Sequence, residues 1–288
     1  MTEPQTDPNE DQRRFWSDGP GRTWAAIADT LDAVHVNVDR ALIAAAAPSP
    51  GERVIDIGSG AGATSMALAA LVGRTGSVTG LDISESLVTE ARRRVADRTP
   101  PVPEFRLADA QTGRPDGPPA DLVVSRMGVM FFADPVAAFA NIRDMLRPGG
   151  RLAFICWRTM EENPWFALPF RAVADRLGAP DTPADPHAPG PMAFADIERV
   201  TGILREAGFG TVTARTVEPE IVIAGGADAA ARLCTRIGPV AHMLRISNGT
   251  DADRAAIVAR LREDLAPFER DGTCRVPARM NLFTAARP

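Results

Sequence analysis

The chain has no tyrosine and no lysine: its 32 basic residues other than histidine are all arginine. That removes the Tyr-x-x-x-Lys pair on which one class of nicotinamide-dependent oxidoreductases relies. Cysteine is scarce. Cys156, Cys234 and Cys274 stand far apart, so they form neither a disulfide framework nor a C-x-x-C metal pair. No His/Asp cluster at ligand spacing appears, so no metal is expected. Basic runs are equally rare. The net charge is −5, and Arg92-Arg93-Arg94 is the one cluster, on an expected helix where a solvated face explains it. A nucleic-acid surface, which needs clustered positive charge, is therefore not expected. No stretch reaches the ~18 apolar residues of a membrane span. Met1–Gln12 is acidic and polar, with none of the features of a secretory signal, and reads as a disordered tail. A cytoplasmic protein with reduced thiols is the expectation.

What the chain does have is 45% hydrophobic residues over 288 positions, enough for one large α/β core or two small ones. Arg22–Ala46 predicts a helix, with Trp24, Ala28, Leu31, His35, Val38 and Leu42 on one face. After Pro48-Ser49-Pro50-Gly51 the pattern alternates between strand and helix. Arg53–Ile57, Ser77–Asp82, Glu104–Leu107, Asp121–Ser125 and Arg151–Trp157 read as strands. Ser84 and Asp134-Pro135 are expected helix starts. Five such strands separated by helices imply a doubly wound, mostly parallel sheet. Further on, Phe194–Ala207 and most of Ala227–Glu269 predict helices, while Thr211–Ile223 and Cys274–Ala286 predict one long strand each.

The chemistry concentrates where the first strand runs into its helix, Asp56-Ile57-Gly58-Ser59-Gly60-Ala61-Gly62. Glycines here let the backbone bend sharply and let a ligand lie against it. Asp82 follows 20 residues past Gly62, at the end of the second strand, where a carboxylate accepts ribose hydroxyls. Together these point to an adenosine-containing cofactor. Gly58, Gly60 and Ala63 also satisfy G-x-G-x-x-A, so a dinucleotide stays open at this level. Two acids weigh against it. Asp56 would repel a pyrophosphate but suits a cationic ligand, and Asp109 ends the third strand, placed to accept the amine of adenine.

The ordered segments DIGSGAG, LDIS, LADAQ, DLVVSRMGVMFFADP and LRPGGRLAFICW resemble the motifs of class I methyltransferases that use S-adenosylmethionine (SAM), and most closely the ubiquinone/menaquinone-biosynthesis-type group of small-molecule enzymes. The resemblance covers about residues 50–158 strongly and the flanks loosely. It implies a Rossmann-like seven-stranded sheet with an antiparallel last strand, a helical cover over 13–47, a SAM-binding core over 48–158, and a remainder over 159–288 that includes a helical insertion before the last strand. It implies that Asp56, Gly58, Ser59, Gly60 and Gly62 hold the methionine end, Asp82 and Ile83 the ribose, and Asp109 and Ala110 the adenine. Ser125 and Arg126 would lie beside the sulfonium, with Trp16 and Trp24 among the aromatic cover.

S-adenosylhomocysteine (SAH) would be the product, and a small, mostly apolar organic molecule the acceptor, with oxygen favoured over carbon or nitrogen. Segments 159–200 and 225–270, with the N-terminal helices, would cover that acceptor. His35 is the candidate base. Arg126, a charge ending a buried strand, demands a partner: an acceptor carboxylate or a helix acid such as Asp144. The rival readings are an NAD(P)-dependent oxidoreductase on the same fold and a SAM-binding protein without catalysis.

Overall fold

The computed structural model describes residues 9–179 and 185–288. Four short helices come first: α1 (Glu10–Ser17), α2 (Gly19–Ala26), α3 (Ala28–Val34) and α4 (Val36–Ala46). The expected single helix over 22–46 is thus three, broken at Ile27 and His35, whose backbones leave helical geometry. The apolar spacing survives the breaks, since Leu31, Val38 and Leu42 are all buried. Of the tail expected over 1–12, residues 1–8 lie outside the described residues. Asn9 is instead buried and Glu10–Gln12 open α1.

The core then alternates as expected: β1 (Arg53–Ile57), α5 (Ala63–Val72), β2 (Ser77–Asp82), α6 (Glu85–Val95), β3 (Glu104–Leu107), β4 (Ala120–Arg126), α7 (Pro135–Met145) and β5 (Leu146–Trp157). Both expected caps form: Ser84 Oγ accepts from Leu87 N–H, and Asp134 Oδ1 from Ala137 N–H. α8 (Pro164–Leu177), α9 (Ile197–Glu206), β6 (Val212–Val217), β7 (Glu220–Ala224), α10 (Gly226–Cys234), α11 (Gly238–Ile246), α12 (Asp251–Leu265), β8 (Glu269–Arg270), β9 (Thr273–Pro277) and β10 (Met280–Ala286) complete the chain.

Seven strands form one sheet in the order β3-β2-β1-β4-β5-β10-β6. β10, the last in the chain, is antiparallel to both its neighbours, and β1–β5 are mutually parallel. The central strands are near-continuous apolar runs because helices cover both faces. Val54, Leu122, Val123, Val124, Leu152 and Phe154 are at most 0% exposed.

The two long strands expected at the end are each cut in two. Thr211–Ile223 becomes β6 and β7, and Cys274–Ala286 becomes β9 and β10. The cuts fall at Glu218-Pro219 and at Ala278-Arg279, directly after Pro277, and Ala278 N–H donates to the Pro219 carbonyl. Proline ends a ladder because it donates nothing to it. The chain therefore leaves the main sheet after β6 and returns at β10. Between them β7, β9 and β8 form a small antiparallel sheet packed against α10. The insertion before the last strand is thus helical and sheet in part, not helical alone.

Candidate active site

The carboxyl ends of β1, β2, β3 and β4 bring the expected cofactor residues to one edge of the sheet, where doubly wound folds bind ligands. The glycine loop crosses that edge. Gly58, Gly60 and Gly62 have φ of +66°, +54° and +90°, a region that strains any residue with a Cβ. Gly58 and Gly62 are also needed for packing. A Cβ on Gly58 would fall 2.7 Å from Gly128 Cα, and one on Gly62 would fall 2.4 Å from the Phe105 ring. Gly60 faces open space, with nothing within 4 Å of a Cβ.

Asp56 is 1% exposed. Its Oδ2 accepts from the Ser65 hydroxyl at 2.6 Å, while Oδ1 is buried without a partner among the described residues. Ser59 Oγ is orphaned in the same way. Burial pushes the Asp56 carboxyl up to about 7, against the lowering effects of Ser65 and Arg126. A buried acceptor left unsatisfied costs about 1–3 kcal/mol, a cost that a ligand donor would remove. An orphaned carboxylate oxygen on the strand that leads into the glycine loop fits the ammonium of a methionine moiety.

Asp82 is shaped by the loop it serves. Its Oδ2 accepts from Gly60 N–H and its Oδ1 from Ser84 N–H, both at 2.8 Å, and Ile83 N–H faces it as well. Burial nevertheless holds it above the usual carboxylate range. Asp109 Oδ1 accepts from Gln111 N–H at 2.8 Å, and the Ala110 carbonyl accepts from Asn141. Ser125 proves to be a tie. Its hydroxyl donates to the Ile57 carbonyl at 2.8 Å and accepts from Gly128 N–H at 3.2 Å, which pins the end of β4 to the end of β1 and commits the hydroxyl expected to face the sulfonium. Met127, next along, sits at φ +58°, a strained geometry for a side chain at the mouth of the site.

Arg126 finds an acid, but on α4 and not at Asp144. Its Nε lies 3.1 Å from Asp39 Oδ1 and 3.1 Å from Thr64 Oγ1, and the Thr64 hydroxyl donates to that same carboxylate oxygen. Asp144 is held by Arg114 and Arg143. The two terminal nitrogens of Arg126 hydrogen-bond to none of the described residues, although the side chain is only 15% exposed.

His35 caps the break between α3 and α4. Its Nδ1 is 2.9 Å from the Leu31 carbonyl, which only accepts, so Nδ1 carries the proton and Nε2 does not. Burial, then the charge of Arg126, drives its pKa down to about 3. An imidazole that reluctant to protonate is a poor general base, so the expected role for His35 weakens.

The aromatic cover assembles. Trp16 meets Trp24 and Phe131 edge-on at 5.5 and 5.2 Å, and Trp24 stacks over His35 at 6.5 Å. Met130 and Phe132 turn into the core. Sequence reading missed Asp39, Thr64, Gln111 and Asn9. Gln111 was visible within LADAQ but suggested no chemistry, and Asp39 lay unremarked beside Arg40 on a helix. Among the described residues no group of acids, histidines or cysteines could hold a metal, and no helix is long and apolar enough to cross a membrane.

Residues 54–150 match the methyltransferase domain family. The chain is 38% identical over 115 residues to the aklanonic acid methyltransferase of Streptomyces sp. (strain C5), covering 40% of this chain and 52% of that one. It therefore spans about half the length of that curated relative. It is 32% identical over 198 residues to the nocamycin O-methyltransferase of Saccharothrix syringae, covering 64% of this chain and 69% of that one. Among solved structures, the SAH-bound magnesium protoporphyrin IX methyltransferase of Synechocystis superposes with a TM-score of 0.56 over 98% of this chain and 100% of that one, at 16% identity, a likeness of fold alone. The chain belongs to the class I SAM-dependent methyltransferase family, whose cofactor is SAM.

Proposed function

We propose that this protein methylates an oxygen of a small, largely apolar organic acceptor, with Asp56, Ser59 and the glycine loop holding the methionine end of the cofactor, Asp82 the ribose and Asp109 the adenine. The observation that carries the reading is the orphaned, buried Asp56 Oδ1 on the strand that leads into the glycine loop. When bound, SAM supplies an electrophilic methyl group on a sulfonium. The protein's work is positioning, which is worth about 7–11 kcal/mol when two reactants are held in line. Trp16, Trp24 and Phe131 wall the site with ring faces and edges that exclude water, an advantage where charge disappears in the transition state. Arg126 offers two free N–H-bearing nitrogens that suit an oxygen of the acceptor, above all an acidic one. Neutral His35 keeps the wall behind Arg126 uncharged, a role that fits its depressed pKa better than proton abstraction. Oxygen is supported by the name of the nocamycin relative.

The test pairs binding with turnover. Calorimetry with SAH, NADH and NADPH, on the wild type and Asp82→Ala, comes first. Micromolar SAH binding that is lost in the variant, with no nicotinamide binding, is expected. A panel of phenols, carboxylic acids, amines and activated carbons is then screened by product mass. Methylation only at nitrogen or carbon overturns the choice of oxygen, and SAH binding without any turnover favours a cofactor-binding protein.

A further inference from the structure

Asn9 occupies the N-cap of α1 and does not cap it. An asparagine there ordinarily turns its side chain back onto the N–H groups of the first turn, yet Asn9 makes no such bond. Its carboxamide reaches 100 residues along the chain to donate to Asp109 Oδ2 at 2.8 Å, and it also donates to Gln111 Oε1 at 3.1 Å. Its own oxygen accepts from Ala133 N–H at 2.9 Å. The side chain is 2% exposed. The far end of α1 is tied down as well. The Ser84 hydroxyl donates to the Trp16 carbonyl at 2.6 Å, and Glu85 N–H donates to Ser17 Oγ at 3.4 Å. One helix therefore runs from the end of β3 to the end of β2, the strand ends that carry Asp109 and Asp82.

A primary amide presents an NH2 donor beside an acceptor, and so does the amino edge of adenine. With Asn9 on one oxygen and Gln111 N–H on the other, Asp109 has both oxygens engaged and is 9% exposed. We propose that α1 is a strap seated in the adenine subsite, with the Asn9 carboxamide standing in for the adenine amine, and that the cofactor binds by displacing it. The inference rests on the assignment of Asp109 to adenine. Its consequence is quantitative: a site that is open only part of the time binds its ligand more weakly by the open fraction. Removing the Asn9 contacts raises that fraction.

The full chain is titrated with SAH by calorimetry as wild type, Asn9→Ala, Asn9→Asp and Asp109→Asn. Asn9→Ala is expected to bind about tenfold tighter, the size of a lost hydrogen bond to a charged acceptor. Asn9→Asp sets a second carboxylate against Asp109 and is expected to tighten binding too, so the result does not hang on one variant. Asp109→Asn is expected to weaken binding. Unchanged or weaker SAH binding in both Asn9 variants overturns the strap and makes Asn9 a wall of the pocket. Wild-type binding that Asp109→Asn leaves untouched removes the adenine assignment and the strap with it. Failure of SAH to bind the wild type and every variant overturns the cofactor assignment itself, whereas binding by the Asn9 variants alone supports the strap.

Discussion

Acids at the sheet edge and acids at the periphery are treated in opposite ways. Asp56 and Asp82 are buried, lack an arginine partner and are pushed up by desolvation. Glu52, Asp121, Asp144 and Glu162 lie nearer solvent, and each is pulled below the usual range by a hydrogen-bonded arginine, from Arg151, Arg147, Arg143 and Arg158 respectively. The chain is rich in arginine, yet among the described residues none hydrogen-bonds Asp56, Asp82 or Asp109. Perturbed groups of this kind cluster where a ligand completes the electrostatics. Two of the peripheral pairs, Glu52–Arg151 and Asp121–Arg147, join segments distant in the chain, and under the proposed function the edge acids are the groups that a bound cation and hydroxyl donors would satisfy.

The strongest way to break that contrast is Asp56→Asn. Truncating one side of a buried charge pair costs about 2–5 kcal/mol, so SAH affinity is expected to fall about 100-fold in calorimetry. The pH dependence has a definite sign. A carboxyl raised to about 7 is protonated below that pH and ionised above it. SAH binding by the wild type should therefore strengthen from pH 6 to pH 8, and the variant should lose that slope. In the ligand-free protein the same group acts in reverse. Its contribution to stability is full below about pH 4 and is lost as pH rises through about 7. His35 opposes it: with its pKa lowered to about 3, it contributes above about pH 6.5 and loses that contribution as pH falls toward 3. Denaturant midpoints of Asp56→Asn and His35→Gln across pH 4–8 separate the two, and slopes of the same sign would refute the contrast.

Gly60→Ala sharpens the comparison from the backbone side. Nothing crowds its Cβ, so the fold should lose only about 1 kcal/mol from the positive φ. SAH affinity should drop about tenfold or more, because that Cβ projects into the space read as the cofactor's. Equal losses in Gly58→Ala and Gly60→Ala would argue against an open ligand face at Gly60.

Arg126→Gln tests a partnered charge that also reaches into the site. Stability is expected to fall by about 1–3 kcal/mol by denaturant titration, since Asp39 keeps only Thr64. SAH affinity should change less than about threefold, and the effect should appear in KM for an acceptor once one is found. The smallest effect belongs to Glu162→Gln, in an ion-pair group with Arg158 and Arg279. Less than about 1 kcal/mol and no change in SAH binding are expected. A loss of binding there would erase the line between edge and periphery.

The sequence by itself determined the parallel core, the glycine loop and the placing of Asp56, Asp82 and Asp109 at or near strand ends, because each is written locally. A buried strand is a short apolar run, a cap is one residue, and an acid at a strand end is placed by the strand. Four of the five expected core strands match β1–β4 to within one residue, and β5 starts five residues earlier than expected, at Leu146 instead of Arg151. Tertiary structure decided whatever depends on residues far apart in the chain meeting. It split two long β segments between two sheets, because the alternation that makes a strand says nothing about which sheet receives it. It gave Arg126 to Asp39 instead of Asp144, because a buried charge takes the carboxylate that packing brings near. It also turned Asn9 from a tail residue into a ligand of Asp109, a contact that no local pattern encodes and that exists only once the helical cover has closed over the sheet edge.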